Sequence, residues 1–242
     1  MLKNLLLKIN DEPVFFEYLN NKGYSKQLIY KYIKSGWLDG VSRGVYKKKG
    51  VVLKPLDILK AANEQLDITF HIGAQSALFL QKTIHYLKFN EKYFLFCSHL
   101  KFKNPWMRSL EYFIFIRDKF FSINDLGLTK LENGIKISSI ERALIEMAAL
   151  IPKEASMDEL FQLTKLSPNL RIDLLQNLLT NCKSIKAKRI FLYIAEKCSH
   201  KWFYKLDIDK IHLGSGVRQI VKNGDYIKKY KLCIPKDLKD AY

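Results

Sequence analysis

Cysteine and histidine are scarce in this sequence of 242 residues, and neither is arranged as a metal site or a disulfide framework. The four cysteines are far apart and show no Cys-x-x-Cys spacing: Cys97, Cys182, Cys198 and Cys233. We expect them to be reduced and mostly buried thiols. The five histidines are equally scattered and form no His-Glu-x-x-His motif: His71, His85, His99, His200 and His212. No metal and no cofactor is therefore expected.

Long apolar runs are also missing. No stretch approaches the roughly 18 consecutive apolar residues of a membrane-spanning helix. The first residues, MLKNLLLKINDEP, have too short an apolar run, and acidic residues too early, for a signal peptide. The sequence therefore predicts a cytoplasmic protein with no membrane partner. Because 48% of the residues are hydrophobic and 13% are aromatic, general disorder is excluded, and the length is sufficient for two domains.

Acidic residues are few, at 24 Asp and Glu against 41 Lys and Arg, and the net charge of +17 is unevenly distributed. Residues 1–50 carry +6, residues 51–182 only +2, and residues 183–242 carry +9. Basic ends around a nearly neutral middle indicate a polyanion that both ends contact, or one polyanion for each end. A soluble basic protein of lysine-rich composition, with no such partner, is the alternative.

The stretch from Val14 to Lys48 has the outline of a winged helix-turn-helix. Its first predicted helix carries an apolar stripe of Val14, Phe15, Tyr18 and Leu19 at helical spacing. Gly23 supplies the turn, and Ser25 is placed to cap the second helix. The buried face of that helix is predicted to comprise Leu28, Ile29, Tyr32 and Ile33.

The opposite face of the second helix carries amide, ammonium and phenol groups, which suit a helix in the DNA major groove. Two short strands follow around Ser42-Arg43-Gly44, so Arg43 is expected at the tip of a wing. The residues predicted to contact DNA are Ser25, Lys26, Gln27, Tyr30, Lys31, Lys34, Arg43, Lys47 and Lys48. A small packing unit or a protein-docking module remains an alternative for the same pattern.

Periodicity after residue 52 predicts a mixture of helices and strands. Helices are expected at residues 53–66, 73–82, 156–166, 168–181 and 184–198, and one more after a capping box at Ser138-Ser139-x-Glu141. Strands are expected at residues 67–72, 92–98, 111–117 and 134–138. The predicted class is α+β: a winged helix-turn-helix domain at 1–52, then a larger mixed α/β domain at 53–242. That second domain is divided into a small sheet at about 67–138 and a helical, basic part at about 139–242.

Four segments, in this order and over nearly the whole chain, resemble the AbiEi family of antitoxins. They are SRGVYKKKG, HIGAQSALFLQK, ISSIERALIEMAAL and the long stretch from KAKRIFLYIAEK to KLCIPK. The resemblance implies a bacterial protein of a type IV toxin–antitoxin system, encoded beside a nucleotidyltransferase toxin. In such a protein the winged helix represses the shared operon, and the second domain counters the toxin without a stable complex.

By the same resemblance, the basic residues of the last segments are candidates for an antitoxin surface: Lys186, Lys188, Arg189, Lys201 and Arg218. Such a surface could bind the toxin's nucleic-acid substrate, a second part of the operator or an acidic face of the toxin. A solvated basic face without a partner is the alternative. Arg142, beside Glu141 and Glu146, is expected to form structural ion pairs.

Catalytic motifs are not evident. The glycines of Leu213 to Arg218 could expose backbone N–H groups to a phosphate, although a hairpin turn explains them equally well. Asp118, Asp207 and Asp209 do not form a convincing carboxylate set for metal-assisted hydrolysis. We expect a non-enzymatic repressor and antitoxin that binds an inverted repeat in double-stranded operator DNA and is monomeric in solution. A DNA-targeted nucleic-acid-processing enzyme and a plain transcription regulator without a toxin are the alternatives.

Overall fold

The computed structural model of the chain describes residues 11–66, 68–81, 92–98 and 104–236. It shows a mixture of helices and three small sheets, which confirms the predicted α+β class. The predictions made for Asp67, Lys82, His85 and His99 lie outside the described residues.

The amino-terminal part is a winged helix-turn-helix. Its elements are β1 (Val14–Phe15), α1 (Phe16–Asn21), α2 (Lys26–Lys34), β2 (Leu38–Ser42) and β3 (Val45–Lys48). The strands form an antiparallel sheet in the order β1-β3-β2. The prediction that Val14 and Phe15 belong to the first helix is wrong, because both pair with β3, opposite Tyr46 and Val45. A small core lies under the helices: Val14, Leu19, Ile29, Tyr32 and Leu38.

Strand β1 connects this unit to the rest of the protein. Successive side chains of a strand point to opposite faces, so Val14 lies in the small core while Phe15 lies in the large one. The Phe15 ring is 6.3 Å from the ring of Trp106, measured between centroids. The side chain of Gln65 accepts a hydrogen bond from the Phe15 N–H and donates one to the Pro13 carbonyl, each at 3.0 Å. The winged helix is therefore anchored on the second domain, and the boundary at residues 52 and 53 stays a prediction.

The second part is built around a five-stranded mixed sheet. Its first elements are α3 (Pro55–Gln65), β4 (Phe70–Ile72), α4 (Ala74–Leu80), β5 (Tyr93–Cys97), α5 (Pro105–Ser109), β6 (Phe113–Arg117), β7 (Leu128–Lys130) and β8 (Lys136–Ser138). The strand order is β6-β5-β4-β8-β7, in which β5 is parallel to β6 and β4 is parallel to β8. Strand β7 and helix α5 were not predicted from the sequence pattern.

Helices complete the large core of the second part. They are α6 (Ile140–Leu150), α7 (Met157–Lys165), α8 (Ile172–Asn181) and α9 (Ile185–Cys198). Helix α6 packs against α4, α7, α8 and α9. The predicted capping box is wrong: Ser139 caps α6, and Glu141 accepts hydrogen bonds from the backbone and guanidinium of Arg171 instead.

The chain then forms two short 3₁₀ helices, Phe203–Lys205 and Ile208–Lys210, and a last small sheet. The strands of that sheet are β9 (Arg218–Gln219), β10 (Asp225–Ile227) and β11 (Leu232–Ile234), in the order β10-β11-β9. Leu232 and Ile234 are buried in the large core, and the Lys231 carbonyl accepts a hydrogen bond from Arg189 of α9, so this sheet packs with helix α9 rather than forming a separate domain.

Candidate nucleic-acid interface and two buried arginine clusters

Helix α2 presents one buried and one exposed face, as the sequence predicts. The Ser25 hydroxyl caps its start by accepting a hydrogen bond from the Leu28 N–H at 3.3 Å. Ile29 and Tyr32 are buried, while Leu28 and Ile33 are half-buried. The exposed residues are those predicted to contact DNA: Ser25, Lys26, Gln27, Tyr30, Lys31 and Lys34. The ammonium of Lys34 lies 5.0 Å from the centre of the Tyr30 ring.

The end of α2 directs the chain into the wing. Gly36 has φ +71° and follows the last helical turn, where its N–H donates to the Ile33 carbonyl and the Trp37 N–H donates to the Tyr32 carbonyl. These two bonds form a Schellman motif, which needs a residue such as glycine in the left-handed conformation. Strands β2 and β3 then form the hairpin, with Arg43 exposed at its turn. The exposed face of α2 and the exposed wing tip are thus the two elements for which the sequence predicts DNA contact.

Two lysines behind the wing tip differ in what they can offer to DNA. Lys48 is exposed. Lys47 is half-buried, and its ammonium donates a hydrogen bond to the Val51 carbonyl at 2.6 Å. Lys47 therefore stabilises the chain that leaves the wing, and it has to break this bond before it can contact a phosphate.

The basic residues proposed for an antitoxin surface are not together on one surface. Lys188 and Arg189 are buried, with 2% and 1% of their surface exposed, so their prediction as surface residues is wrong. Lys186 is half-buried and donates a hydrogen bond to the Ile151 carbonyl. Burial lowers the pKa of both Lys186 and Lys188. Lys201 and Arg218 are exposed, as predicted.

Arg189 instead holds the last part of the chain on helix α9. Its guanidinium donates hydrogen bonds to four backbone carbonyls, those of Leu213, Gly214, Gly216 and Lys231, at 2.8, 2.9, 2.5 and 3.1 Å. Burial lowers the pKa of Arg189, and the nearby charge of Arg218 lowers it further. The carbonyls of the glycine-containing loop from Leu213 to Gly216 thus accept hydrogen bonds from an arginine of the same chain, and Gly214 in this loop has φ +68°.

A second buried arginine, Arg142, lies at the start of α6 in a polar cluster. Its Nε donates to Glu146 Oε1 at 2.8 Å, and its Nη2 lies 3.2 Å from Asp118 Oδ2. Its Nη1 donates to the carbonyls of Asn124 and Leu126 at 2.5 and 2.8 Å. The expectation of structural ion pairs for Arg142 is confirmed, with Glu146 and Asp118 as the partners rather than Glu141.

Glu146 is the centre of this cluster and is fully buried. Its Oε1 lies 2.9 Å from Nε2 of His71, and its Oε2 accepts hydrogen bonds from the Ser138 hydroxyl and the Ala74 N–H. Burial raises the pKa of Glu146, but the charges and hydrogen bonds of His71 and Arg142 outweigh burial and hold the pKa at about 2. At neutral pH, Glu146 is therefore an ionised carboxylate with partners on both oxygens.

Sequence reasoning did not identify Glu146, His71 or Ser138 as a group. They belong to helix α6, strand β4 and strand β8, and nothing in their spacing shows that these elements meet. Gly73 carried a weak signal: a Cβ atom there would lie 2.3 Å from Glu146 Oε2, so only glycine leaves room for the carboxylate. In the part of the chain that the structure describes, no group of three His, Cys, Asp or Glu side chains is placed to hold a metal.

Comparison with known families accounts for both parts of the chain. Residues 91–235 match a family described as "Transcriptional regulator, AbiEi antitoxin, Type IV TA system". Residues 2–89 match the corresponding "AbiEi antitoxin N-terminal domain". The chain belongs to the AbiEi antitoxin family. It is thus a transcriptional regulator and antitoxin of a type IV toxin–antitoxin system, as the resemblance in its sequence implied.

The fold of this AbiEi antitoxin is also found in a solved structure, titled "Crystal structure of RV2827C protein from Mycobacterium tuberculosis". The two chains are 14% identical with a TM-score of 0.67, and the match covers 96% of this chain and 88% of the other. At this identity the likeness concerns the fold alone. No curated protein matches the sequence. Within the described ranges, no helix has the length and the apolar composition that a transmembrane span requires.

Proposed function

We propose that this AbiEi antitoxin binds double-stranded operator DNA at its own promoter and represses the operon that encodes it and a nucleotidyltransferase toxin. The observation that carries this proposal is the capped helix α2, whose exposed face has Lys, Gln and Tyr side chains, next to a wing with Arg43 at its tip. We further propose that the protein counters the toxin without enzymatic activity and without a stable complex. It acts in the cytoplasm, where operon DNA is found.

The exposed residues of α2 divide into two roles. Gln27, near the start of the helix, has the amide geometry that pairs with adenine edges in the major groove. Lys31 and Lys34 are point charges suited to phosphates, and Arg43 on the wing suits a phosphate or the minor groove. We propose that one protein molecule binds each half of an inverted repeat and that the protein is a monomer before it binds.

We expect Lys31→Ala to weaken operator binding by about tenfold or more, because one ammonium–phosphate contact and its counterion release are lost. Fluorescence anisotropy with DNA from upstream of the gene, at several salt concentrations, measures both the affinity and the salt dependence. The slope of log affinity against log salt should decrease by about one.

Lys130→Ala is the matched control, since Lys130 is an exposed lysine on strand β7 of the central sheet. An equal loss of affinity in the two variants would mean that only net charge matters, and the assignment of α2 as the recognition helix would fail.

Counteraction of the toxin is proposed for the second domain, residues 53–242. The chain variant with both Lys31→Ala and Arg43→Ala should lose operator binding yet still protect cells that express the neighbouring toxin gene. Growth on induction of that gene, with this full-length variant supplied from a separate promoter, measures protection. If protection disappears while the variant remains folded and abundant, DNA binding and antitoxin activity are one function, and our division of roles is wrong.

The structure favours a non-enzymatic protein over a nucleic-acid-processing enzyme. Asp118 lies beside Arg142 in the buried cluster, and Asp207 caps the second 3₁₀ helix and pairs with Lys210 at 2.8 Å. Two of the three carboxylates considered for metal-assisted hydrolysis, Asp118 and Asp207, are thus held by cations of the same chain. Metal-dependent turnover of nucleic acid by the purified protein, abolished by Asp118→Asn, would overturn this part of the proposal.

A further inference from the structure

A cleft of about 530 Å³ lies between the winged helix and the second domain. The winged helix contributes the start of α1, the start of α2 and the wing tip, and the second domain contributes the chain after α3 and the start of α5. Small-molecule sites in proteins have volumes of about 300–1,000 Å³ and occur preferentially where two domains meet. The cleft therefore has both the size and the position of a ligand site.

The walls of the cleft combine aromatic rings with positive charge. Phe16 and Tyr46 provide the rings, and Lys26 and Arg43 provide the cations. The Lys26 ammonium lies 5.4 Å from the centre of the Phe16 ring. Neither cation forms an ion pair with a carboxylate within the described residues, although Glu17 lines the same cleft. The charged side chains that line the cleft are therefore positive on balance, and an anion is the ligand that complements them.

We propose that this cleft binds an organic anion with a planar ring, of the size of a mononucleotide, and that this anion and operator DNA exclude each other. The ring lies against Phe16 and Tyr46, and the anionic group lies between Lys26 and Arg43. Aromatic side chains stack on planar rings, and a cation held over such a ring is already close to an incoming anion. A simple inorganic anion would leave the apolar walls of the cleft exposed to water.

Mutual exclusion follows from shared residues. Lys26 and Arg43 line the cleft and are also the residues that we assign to the start of the recognition helix and to the wing tip. A cation that neutralises a ligand cannot at the same time neutralise a DNA phosphate, so each partner lowers the affinity for the other by the same factor. This coupling rests on the proposed DNA-binding function, whereas ligand binding by itself does not.

Isothermal titration calorimetry of the full-length protein without DNA tests binding directly. The probes are ATP, GTP, CTP and UTP, the four matching nucleosides, and inorganic tripolyphosphate. We expect at least one nucleotide to bind, and its nucleoside and tripolyphosphate each to bind at least about tenfold more weakly. No binding by any nucleotide at about 1 mM, or tripolyphosphate binding as tightly as the nucleotides, would overturn the proposal.

Operator binding in the presence of the nucleotide tests the exclusion. At a nucleotide concentration ten times its Kd, the apparent operator affinity should decrease by about tenfold. If the nucleotide binds and the operator affinity is unchanged, the claim of exclusion is wrong. Operator binding without nucleotide is measured in the same assay, so a failure of the proposed DNA-binding function is seen separately.

Pro105→Glu and Pro105→Gln form a matched pair for the site itself. Pro105 lines the cleft, is exposed and occupies the first position of α5, where a glutamate is compatible with a helix start. The glutamate adds a negative charge to the cleft and should weaken nucleotide binding at least about fivefold relative to the glutamine. Both variants should melt at the same temperature. Equal nucleotide affinities in two folded variants would place the ligand elsewhere and overturn the assignment.

Discussion

Glu146→Ala should lower the stability of this AbiEi antitoxin by about 3–5 kcal/mol, a large part of the 5–15 kcal/mol that typically stabilises a folded domain. Glu146 has no exposed surface, and both oxygens of its carboxylate have partners. Truncation leaves the Arg142 guanidinium buried without its main counter-ion. It also leaves the Ala74 N–H and the Ser138 hydroxyl without acceptors.

Thermal and urea unfolding measure this loss, and we expect the melting temperature to decrease by about 10 °C or more. Glu132→Ala is the matched control, because Glu132 is exposed and its loss should change stability by no more than about 0.5 kcal/mol. If the two variants are equally stable, the buried cluster does not stabilise the fold.

The same carboxylate makes stability depend on pH. The pKa of Glu146 is about 2 in the folded protein, below the ordinary value of 4.5, so the unfolded chain binds this proton more readily. Its contribution to stability is therefore complete above about pH 4.5 and is lost as the pH falls towards 2. Between about pH 6 and about pH 2, the melting temperature of the wild type should fall more steeply than that of Glu146→Gln, which has no proton to bind at this position.

Arg189→Ala is expected to have a comparably large effect, about 3–5 kcal/mol, concentrated in the last part of the chain. The guanidinium of Arg189 donates to four carbonyls in two separate segments, the loop around Gly214 and the strand connection at Lys231. Removal takes this donor from the carbonyls of the loop around Gly214, while the Lys231 carbonyl keeps the hydrogen bond from the Arg218 N–H. It also leaves a cavity beside helix α9. We expect the sheet of β9, β10 and β11 to open locally before the rest of the protein unfolds.

Hydrogen exchange measured by mass spectrometry locates this opening, and the melting temperature measures the loss of stability. Arg218→Ala is the control, since Arg218 is an exposed arginine on β9 of the same sheet. If the sheet of β9, β10 and β11 exchanges at the same rate in Arg189→Ala and in the wild type, the anchoring role of Arg189 is contradicted. The pair also separates stability from antitoxin activity, because only the exposed Arg218 can contact a partner directly.

Local signals in the sequence were sufficient for the winged helix. Ser25, Gly36 and the apolar spacing of α2 are each determined by neighbours within a few residues, so the helix, its ends and its exposed face could be predicted. Val14 and Phe15 show the limit of this reasoning. Their spacing fits a helix equally well. They form a strand because they pair with β3, which follows α1, α2 and β2 in the chain.

The basic segment after residue 183 illustrates the opposite case. Lys188 and Arg189 have the composition of an exposed face, and most lysines and arginines are indeed exposed. The burial of Arg189 depends on carbonyl groups far along the chain, at Leu213 to Gly216 and at Lys231, and no periodicity encodes such partners. The surface proposed from charge and family resemblance therefore included Arg189, a residue that holds the fold together.

The sequence by itself determined the winged helix-turn-helix, the α+β class and the AbiEi family, because these depend on local periodicity, caps and segments of characteristic composition. Only the tertiary structure decided which charged residues are buried, how β1 connects the two cores, and that Glu146 meets His71 and Ser138. The physical reason is that burying a charge is favourable only where partners converge, and those partners come from elements that are distant in the chain.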